Sequence, residues 1–225
     1  MSGKDATGDK KQGTLVLFRH GQTEYNSRGL FTGLVDSPLT EKGEEQGREA
    51  GRRLQGFVFD KAYSSSLSRA FNTAALALAA SGCNDHLKKP DGTWDITVDD
   101  AVIEADAGDF AGRRHSDDPL VLSWPRGYDI SPPNGESDRD MVARVKKFYD
   151  EELVPRLERG ETLLVSCHSG IMKAFEIATG LKPEPGHDIW STRNGVPNAT
   201  PVVYEYEDGR IKREYRIDGP AGPGR

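Results

Sequence analysis

The sequence predicts a three-layer αβα sandwich around a mainly parallel sheet, and three of its features carry that expectation. Short apolar runs alternate with longer segments of helical spacing, as in α/β domains. Two of those runs, Leu15 to Phe18 and Thr162 to Val165, lead directly into a histidine and a glycine. The first gives Arg19-His20-Gly21 and the second Ser166-Cys167-His168-Ser169-Gly170. Parallel strands are buried on both faces and read as continuous apolar stretches, with ligands bound beyond their carboxyl ends. Both histidines are therefore expected at one edge of the sheet. A chain of 225 residues can bury a full core as one domain with an insertion.

Taken in order, the polar stretch from Met1 to Gly13 reads as a loose tail before a domain over 14–217. Thr40 is placed to cap a helix whose first turn carries Glu41 and Glu44 and whose far end carries Arg48, Arg52 and Arg53, a charge order that suits the helix dipole. A short strand around Lys61 to Tyr63 precedes the alanine- and leucine-rich helix of SSSLSRAFNTAALALAAS, with Ser65 or Ser66 as its cap. Arg69 then falls in the first turn, where a cation is disfavoured unless an anion lies beside it. A loop from Gly82 to Gly92 leads to a strand near Trp94 to Val98 and an apolar piece at Ala101 to Ile103, followed by Glu104.

The segment near 108–136, rich in glycine, proline and aspartate, reads as a lid or irregular insertion. A long helical pattern from Gly135 to Arg159 places Met141, Val145, Phe148, Leu153 and Leu157 in the core. After the strand ending at His168 come a helix over Ile171 to Thr179, a loop over Lys182 to Thr200, and two runs joined by the turn signal Asp208-Gly209. Residues 218–225 read as a second tail.

The formal charge of −6 argues against nucleic acid as partner, because phosphate-backbone binding needs a broad basic surface. Cys83 and Cys167 lack metal or redox spacing and suit reduced thiols in a cytoplasmic protein. No apolar run reaches membrane-spanning length, and the opening residues lack the apolar core of a signal peptide. His86, His115 and His187 lie in loops without ligand spacing, so no metal is expected. Cys167 beside His168 invites a thiol-nucleophile reading, but consecutive residues leaving a strand point apart.

A guanidinium and an imidazole side by side, followed by a glycine that allows close backbone approach, suit a tetrahedral anion. Were Arg19, His20, Arg69 and His168 to converge, they would form a cationic cup for a phosphoryl group. Neutral His20 would attack phosphorus, neighbouring arginines would disfavour its protonation, and Glu104 would protonate the leaving oxygen. The helix after Gly170 could add backbone donors.

Arg19-His20-Gly21-Gln22-Thr23, Asn26, Phe31-Thr32-Gly33, the Ser64 to Arg69 segment, Glu104 and His168 together resemble the histidine phosphatase superfamily. Within it the chain is similar to the bisphosphoglycerate-dependent phosphoglycerate mutases, from about Thr14 to Ile217. The resemblance implies a phosphoglycerate mutase-like fold, His20 as the phosphorylated residue, Glu104 as proton donor and acceptor, and Arg19, Arg69 and His168 as the phosphate pocket. Gly21, Gln22, Thr23, Asn26, Thr32, Gly33, Ser169 and Gly170 would contact substrate.

The resemblance further implies interconversion of 3-phosphoglycerate and 2-phosphoglycerate in glycolysis and gluconeogenesis. No permanently bound cofactor is implied, and 2,3-bisphosphoglycerate stays open as a primer. The partner would be a small phosphate ester, and a homo-oligomer stays open. Several departures touch selectivity: Ala105 and Ala107 replace an arginine and a tyrosine of the family pattern, Pro125-Arg126 replaces paired arginines, and His168-Ser169-Gly170 replaces His-Gly-Asn. Arg113, Arg114 and Arg126 are the remaining candidates to hold a substrate carboxylate. Two alternatives therefore stand beside the mutase, a phosphomonoesterase and a phospholigand-binding module without turnover.

Overall fold

The computed structural model describes residues 12–185, 189 and 195–219. Its centre is a six-stranded sheet made of β1 (Gly13–Arg19), β2 (Lys61–Ser64), β3 (Ile96–Val98), β4 (Thr162–Cys167), β5 (Val202–Glu207) and β6 (Arg210–Arg216), in the order β3-β2-β4-β1-β5-β6. The first four run parallel, and the β5–β6 hairpin closes one side antiparallel to β1. Gly13 already pairs with Tyr206, so the sheet begins one residue earlier than expected. Residues 1–11 and 220–225, and with them most of both tails, lie outside the described residues, as does His187.

Alternation along β1 distributes its side chains between two cores. Leu15 and Leu17 join Leu163, Val165, Met141, Val145, Leu157 and Phe175 on one face. Val16 and Phe18 join Leu164, Ala62, Ala50, Leu54, Ala74 and Leu78 on the other. The second face is covered by α2 (Glu41–Arg53) and α3 (Ser68–Ser81), after the single-turn α1 (Glu24–Ser27). The first is covered by α5 (Asp138–Phe148), α6 (Val154–Glu158) and α7 (Ser169–Ala178), with α4 (Pro119–Ser123) in the lid segment before them. Thr40 caps α2 through Gly43 N as its sequence position predicts.

Three expectations are corrected. Neither Ser65 nor Ser66 caps α3: Leu67 stands at the N-cap position without a side-chain bond, and Asp36 Oδ1 accepts from both the amide and the hydroxyl of Ser68, at 2.9 and 2.8 Å. The lid is less irregular than its composition suggests, since Asp118 caps α4 and a 3₁₀ turn spans Gly108–Phe110. The long helix after Ser137 is interrupted by a π turn over Tyr149–Leu153, ahead of Pro155 in the first turn of α6. Proline has no amide hydrogen to give the preceding turn, which favours such a rearrangement. Among the described residues, no helix is long and apolar enough to cross a membrane.

Candidate active site

Each of the four parallel strands delivers a chemically useful side chain from its carboxyl end. Arg19 ends β1 and His20 follows it; Cys167 ends β4 and His168 follows it. Register places Arg19 level with Cys167, and the His20 amide donates to Cys167 O at 2.9 Å. The two imidazoles lie with ring centroids 5.1 Å apart. Ser65 and Arg69 come from the segment after β2, and Glu104 from the turn after β3. This is the arrangement that the twice-repeated strand, histidine and glycine pattern predicts.

His20 Nδ1 lies 2.6 Å from Gly21 O. A carbonyl only accepts, so Nδ1 carries the proton and Nε2 keeps a lone pair. Burial first, and then the charges of Arg19 and Arg69, hold the imidazole well below its ordinary pKa. The arginines act as expected, but desolvation is the larger cause. His168 is fully buried and held well below its ordinary pKa by burial and then by Arg69, with its Nε2 2.7 Å from Ser65 Oγ.

Arg69, fully buried, donates from Nη1 to Val35 O at 2.7 Å and from Nη2 to Gly33 O at 2.8 Å. Burial lowers its pKa to about 10. Arg19 donates to Val196 O. Among the described residues, three buried nitrogens of this group have no hydrogen-bond partner: Arg19 Nε, Arg69 Nε and His168 Nδ1. Buried polar atoms of native proteins are nearly always paired, so this cluster marks where an anion fits.

Glu104 is buried, and burial raises its pKa above the ordinary carboxyl value against the opposing pull of Ala105 N, Arg69, Arg19 and Gly170 N. Its Oε1 accepts from Ala105 N at 3.0 Å and Gly170 N at 3.2 Å. The first turn of α7 therefore serves the carboxyl group through Gly170. Arg144 braces the segment that carries Glu104. It holds Glu136 through Nε and Nη2 at 2.7 and 2.8 Å, and donates to Ala101 O at 2.8 Å and Glu104 O at 3.4 Å.

Arg19, His20, Arg69 and Glu104 open onto one cleft of about 620 Å³, which Asn26, Thr32, Gly33, Arg126 and Ser169 also line. Other predicted contacts stand behind it. An ideal Cβ on Gly21 would meet Gly43 O at 2.2 Å, so this glycine admits the backbone of α2 and not a ligand. Gln22 is tied by its amide to Gln46 and by its side chain to Thr40. Thr23 is fully buried and caps α1 through Asn26 N. Gly170 lies beneath Glu104.

Two of the three carboxylate candidates are engaged elsewhere: Arg113 pairs with Asp118, and Arg114 donates to Arg28 O. His115, read as a loop histidine, lines the cleft with its ring 3.9 Å from that of Phe31. Ser65 at His168, Thr73 at the Gly21 amide (3.0 Å) and Asn198 at His20 O (2.9 Å) are supports that sequence reasoning missed. The serine run before Arg69 was the one available signal. Cys167 is fully buried, and its thiol is pushed well up by that burial, which removes it as a nucleophile.

The sheet order and the histidines at the β1 and β4 ends define a phosphoglycerate mutase-like α/β domain. The model of the histidine phosphatase superfamily (branch 1) matches residues 15–216, and the chain belongs to that superfamily. It is 42% identical over 194 residues to a 2,3-bisphosphoglycerate-dependent phosphoglycerate mutase of Methylobacterium sp. (strain 4-46), covering 81% of this chain and 88% of that one. Among solved structures, Bacillus stearothermophilus YhfR superposes with a TM-score of 0.73 at 25% identity, over 93% of this chain and 98% of the other. The mycobacterial glucosyl-3-phosphoglycerate phosphatase Rv2419c with VO3 superposes with a TM-score of 0.68 at 26% identity, over 93% and 100%.

Proposed function

We propose that this protein transfers the phosphoryl group of a phosphomonoester through a covalent phosphohistidine at His20. The supporting observation is the clustering of the unpartnered Arg19 Nε, Arg69 Nε and His168 Nδ1 around an imidazole whose Nε2 holds a lone pair. With the Ser65 hydroxyl donating to His168 Nε2, the proton of that ring sits on Nδ1, giving a third donor. Charge-assisted donors of this kind stabilise the charge that develops on the equatorial phosphoryl oxygens.

In the first displacement His20 Nε2 forms a bond to phosphorus while the ester P–O bond breaks, and the Glu104 carboxyl group gives its proton to the departing oxygen. In the second, the Glu104 carboxylate takes the proton of an acceptor hydroxyl as its oxygen bonds phosphorus, and the N–P bond breaks to restore the lone pair. The raised pKa of Glu104 suits the first role, and the return of the carboxylate suits the second.

Likeness to mutases over 92% of the chain, at 35% and 40% identity, supports a phosphoglycerate hydroxyl as acceptor, and so interconversion of 3- and 2-phosphoglycerate with a bisphosphate primer. A specific observation favours water instead. Ala105 and Ala107 line the cleft where a charged clamp for a sugar acid would stand, and an unclamped acceptor loses the advantage of orientation. Phosphoglycerate isomerisation measured beside phosphate release from several monoesters decides between the acceptors. Isomerisation without release supports the mutase; release without isomerisation supports the phosphatase. Absence of both, with no acid-labile phosphoenzyme, would leave a binding module.

A further inference from the structure

The cleft beyond the cup has a composition that the phosphoryl chemistry does not use. Leu30, Phe31, Phe110, Val121, Trp124 and Ile130 are its apolar lining. The rings of Phe31 and Phe110 lie 5.9 Å apart, and Phe110 meets Trp124 edge-on at 6.2 Å, so the aromatic surface is continuous. Trp124 Nε1 already donates to Ser131 O at 3.2 Å, so the indole offers a substrate its ring and not a hydrogen bond.

The charged groups elsewhere in the lining are largely engaged within the protein and add no strong pull on an anionic leaving group: Arg144 holds Glu136, and the amides of Gly108 and Ile189 donate to Asp106 and Asp138. Asp106, Glu136 and Asp138 line the cleft outside the cup, against Arg126 and Lys173. At about 620 Å³ the space falls within the range of pockets for drug-sized ligands, roughly 300–1,000 Å³.

We infer that the cleft receives a phosphomonoester whose leaving alcohol carries an uncharged aromatic or comparably bulky apolar group, packed against Phe31, Phe110 and Trp124 while its phosphate sits in the cup. The inference rests on phosphoryl transfer at His20 and adds a substrate class to it. Cleavage breaks the P–O bond to that alcohol as His20 bonds phosphorus. The alcohol leaves with the Glu104 proton, and water or another hydroxyl then takes the phosphoryl group.

Phenethyl phosphate and ethyl phosphate test this directly, because both release a primary alkanol and differ chiefly in apolar surface. Burial of one phenyl group predicts a kcat/KM ratio of about 30 or more in favour of phenethyl phosphate, and Trp124→Ala or Phe31→Ala should draw that ratio toward one. A parent ratio near one overturns the inference. Calorimetric binding of the same two esters to His20→Ala reads the apolar lining without turnover. A comparable preference there with no turnover by the parent would uphold the apolar site and remove the phosphoryl-transfer reading. Equal dissociation constants would remove the apolar site whatever the parent's activity.

Discussion

Ser65 Oγ lies 2.7 Å from His168 Nε2, and this one contact fixes which face of a fully buried imidazole can meet a ligand. Because Nδ1 has no partner among the described residues, its proton is available to an anion only while the serine hydroxyl donates to Nε2. The contact joins the residue after β2 to the residue after β4, two neighbouring parallel strands, so the sheet itself sets the distance.

Ser65→Ala is predicted to weaken inhibition by inorganic phosphate or vanadate about tenfold, since a neutral imidazole free to change tautomer loses its fixed donor. The variant should also lose about 1–3 kcal/mol of stability from the unpaired buried nitrogen. Inhibition constants beside chemical denaturation curves check both. An unchanged inhibition constant would show that His168 does not depend on Ser65 for its orientation.

Gly21→Ala acts through the fold before it acts on the ligand. The added methyl would stand 2.2 Å from Gly43 O, a backbone atom that moves only if α2 moves. A loss of about 1–3 kcal/mol is expected from such overpacking, read as a lower denaturation midpoint. If stability were retained while activity fell, the glycine would belong to the ligand site after all.

Much of this site was legible because its spacing follows the sheet. His20 and His168 are each read from an apolar run that ends in a histidine, and parallel pairing of β1 with β4 does the rest. Gly21, Gln22 and Thr23 adjoin the nucleophile in sequence, but the chain turns there toward α2 and α1, so these three do not line the cleft. Contacts such as Asp36 to Ser68, 32 residues apart, and Asn198 to His20, 178 residues apart, leave no local periodicity to read. Nor could composition tell that Arg113 would pair with Asp118 while Arg126 stayed exposed on the cleft.

Arg126 is the predicted test of the sugar-acid reading. A carboxylate held by this guanidinium through a charge-assisted hydrogen bond would be worth about 1.5–3 kcal/mol, so Arg126→Ala should raise KM for 3-phosphoglycerate about tenfold or more. The same change should leave KM for phenethyl phosphate, which has no carboxylate, within about twofold of the parent. Steady-state kinetics on the pair separates the cases, and an unmoved KM for phosphoglycerate removes Arg126 as its anchor.

Folding stability should fall as pH drops below 6.5. His20 and His168 have folded pKa values well below the ordinary imidazole value, so the unfolded chain takes up protons there that the folded chain refuses. The slope approaches about 2.7 kcal/mol per pH unit for two such groups. Glu104, raised in the fold, opposes it at lower pH by binding a proton more readily when folded. Thermal midpoints between pH 7 and 5 should therefore decline less in a His20→Asn/His168→Asn double variant than in the parent. Parallel declines would place the acid sensitivity elsewhere.

Glu104 should control the two displacements differently according to the leaving group. Its raised pKa keeps the carboxyl group protonated further above 4.5 than a solvated glutamate, so kcat/KM for alkyl esters should fall as pH rises through that raised value. Glu104→Gln removes the proton donor and should slow phenethyl phosphate by roughly 10²–10⁴-fold. A dinitrophenyl ester needs no proton on its leaving oxygen, so the variant should still release the phenolate in a burst matching the enzyme concentration. Steady turnover should then be slow, because no carboxylate remains to activate the acceptor, and the phosphohistidine should accumulate. Rapid-quench measurement of the burst for both esters checks this. Bursts suppressed equally would assign the proton transfer to another group and leave Glu104 a purely electrostatic neighbour of Arg19 and Arg69.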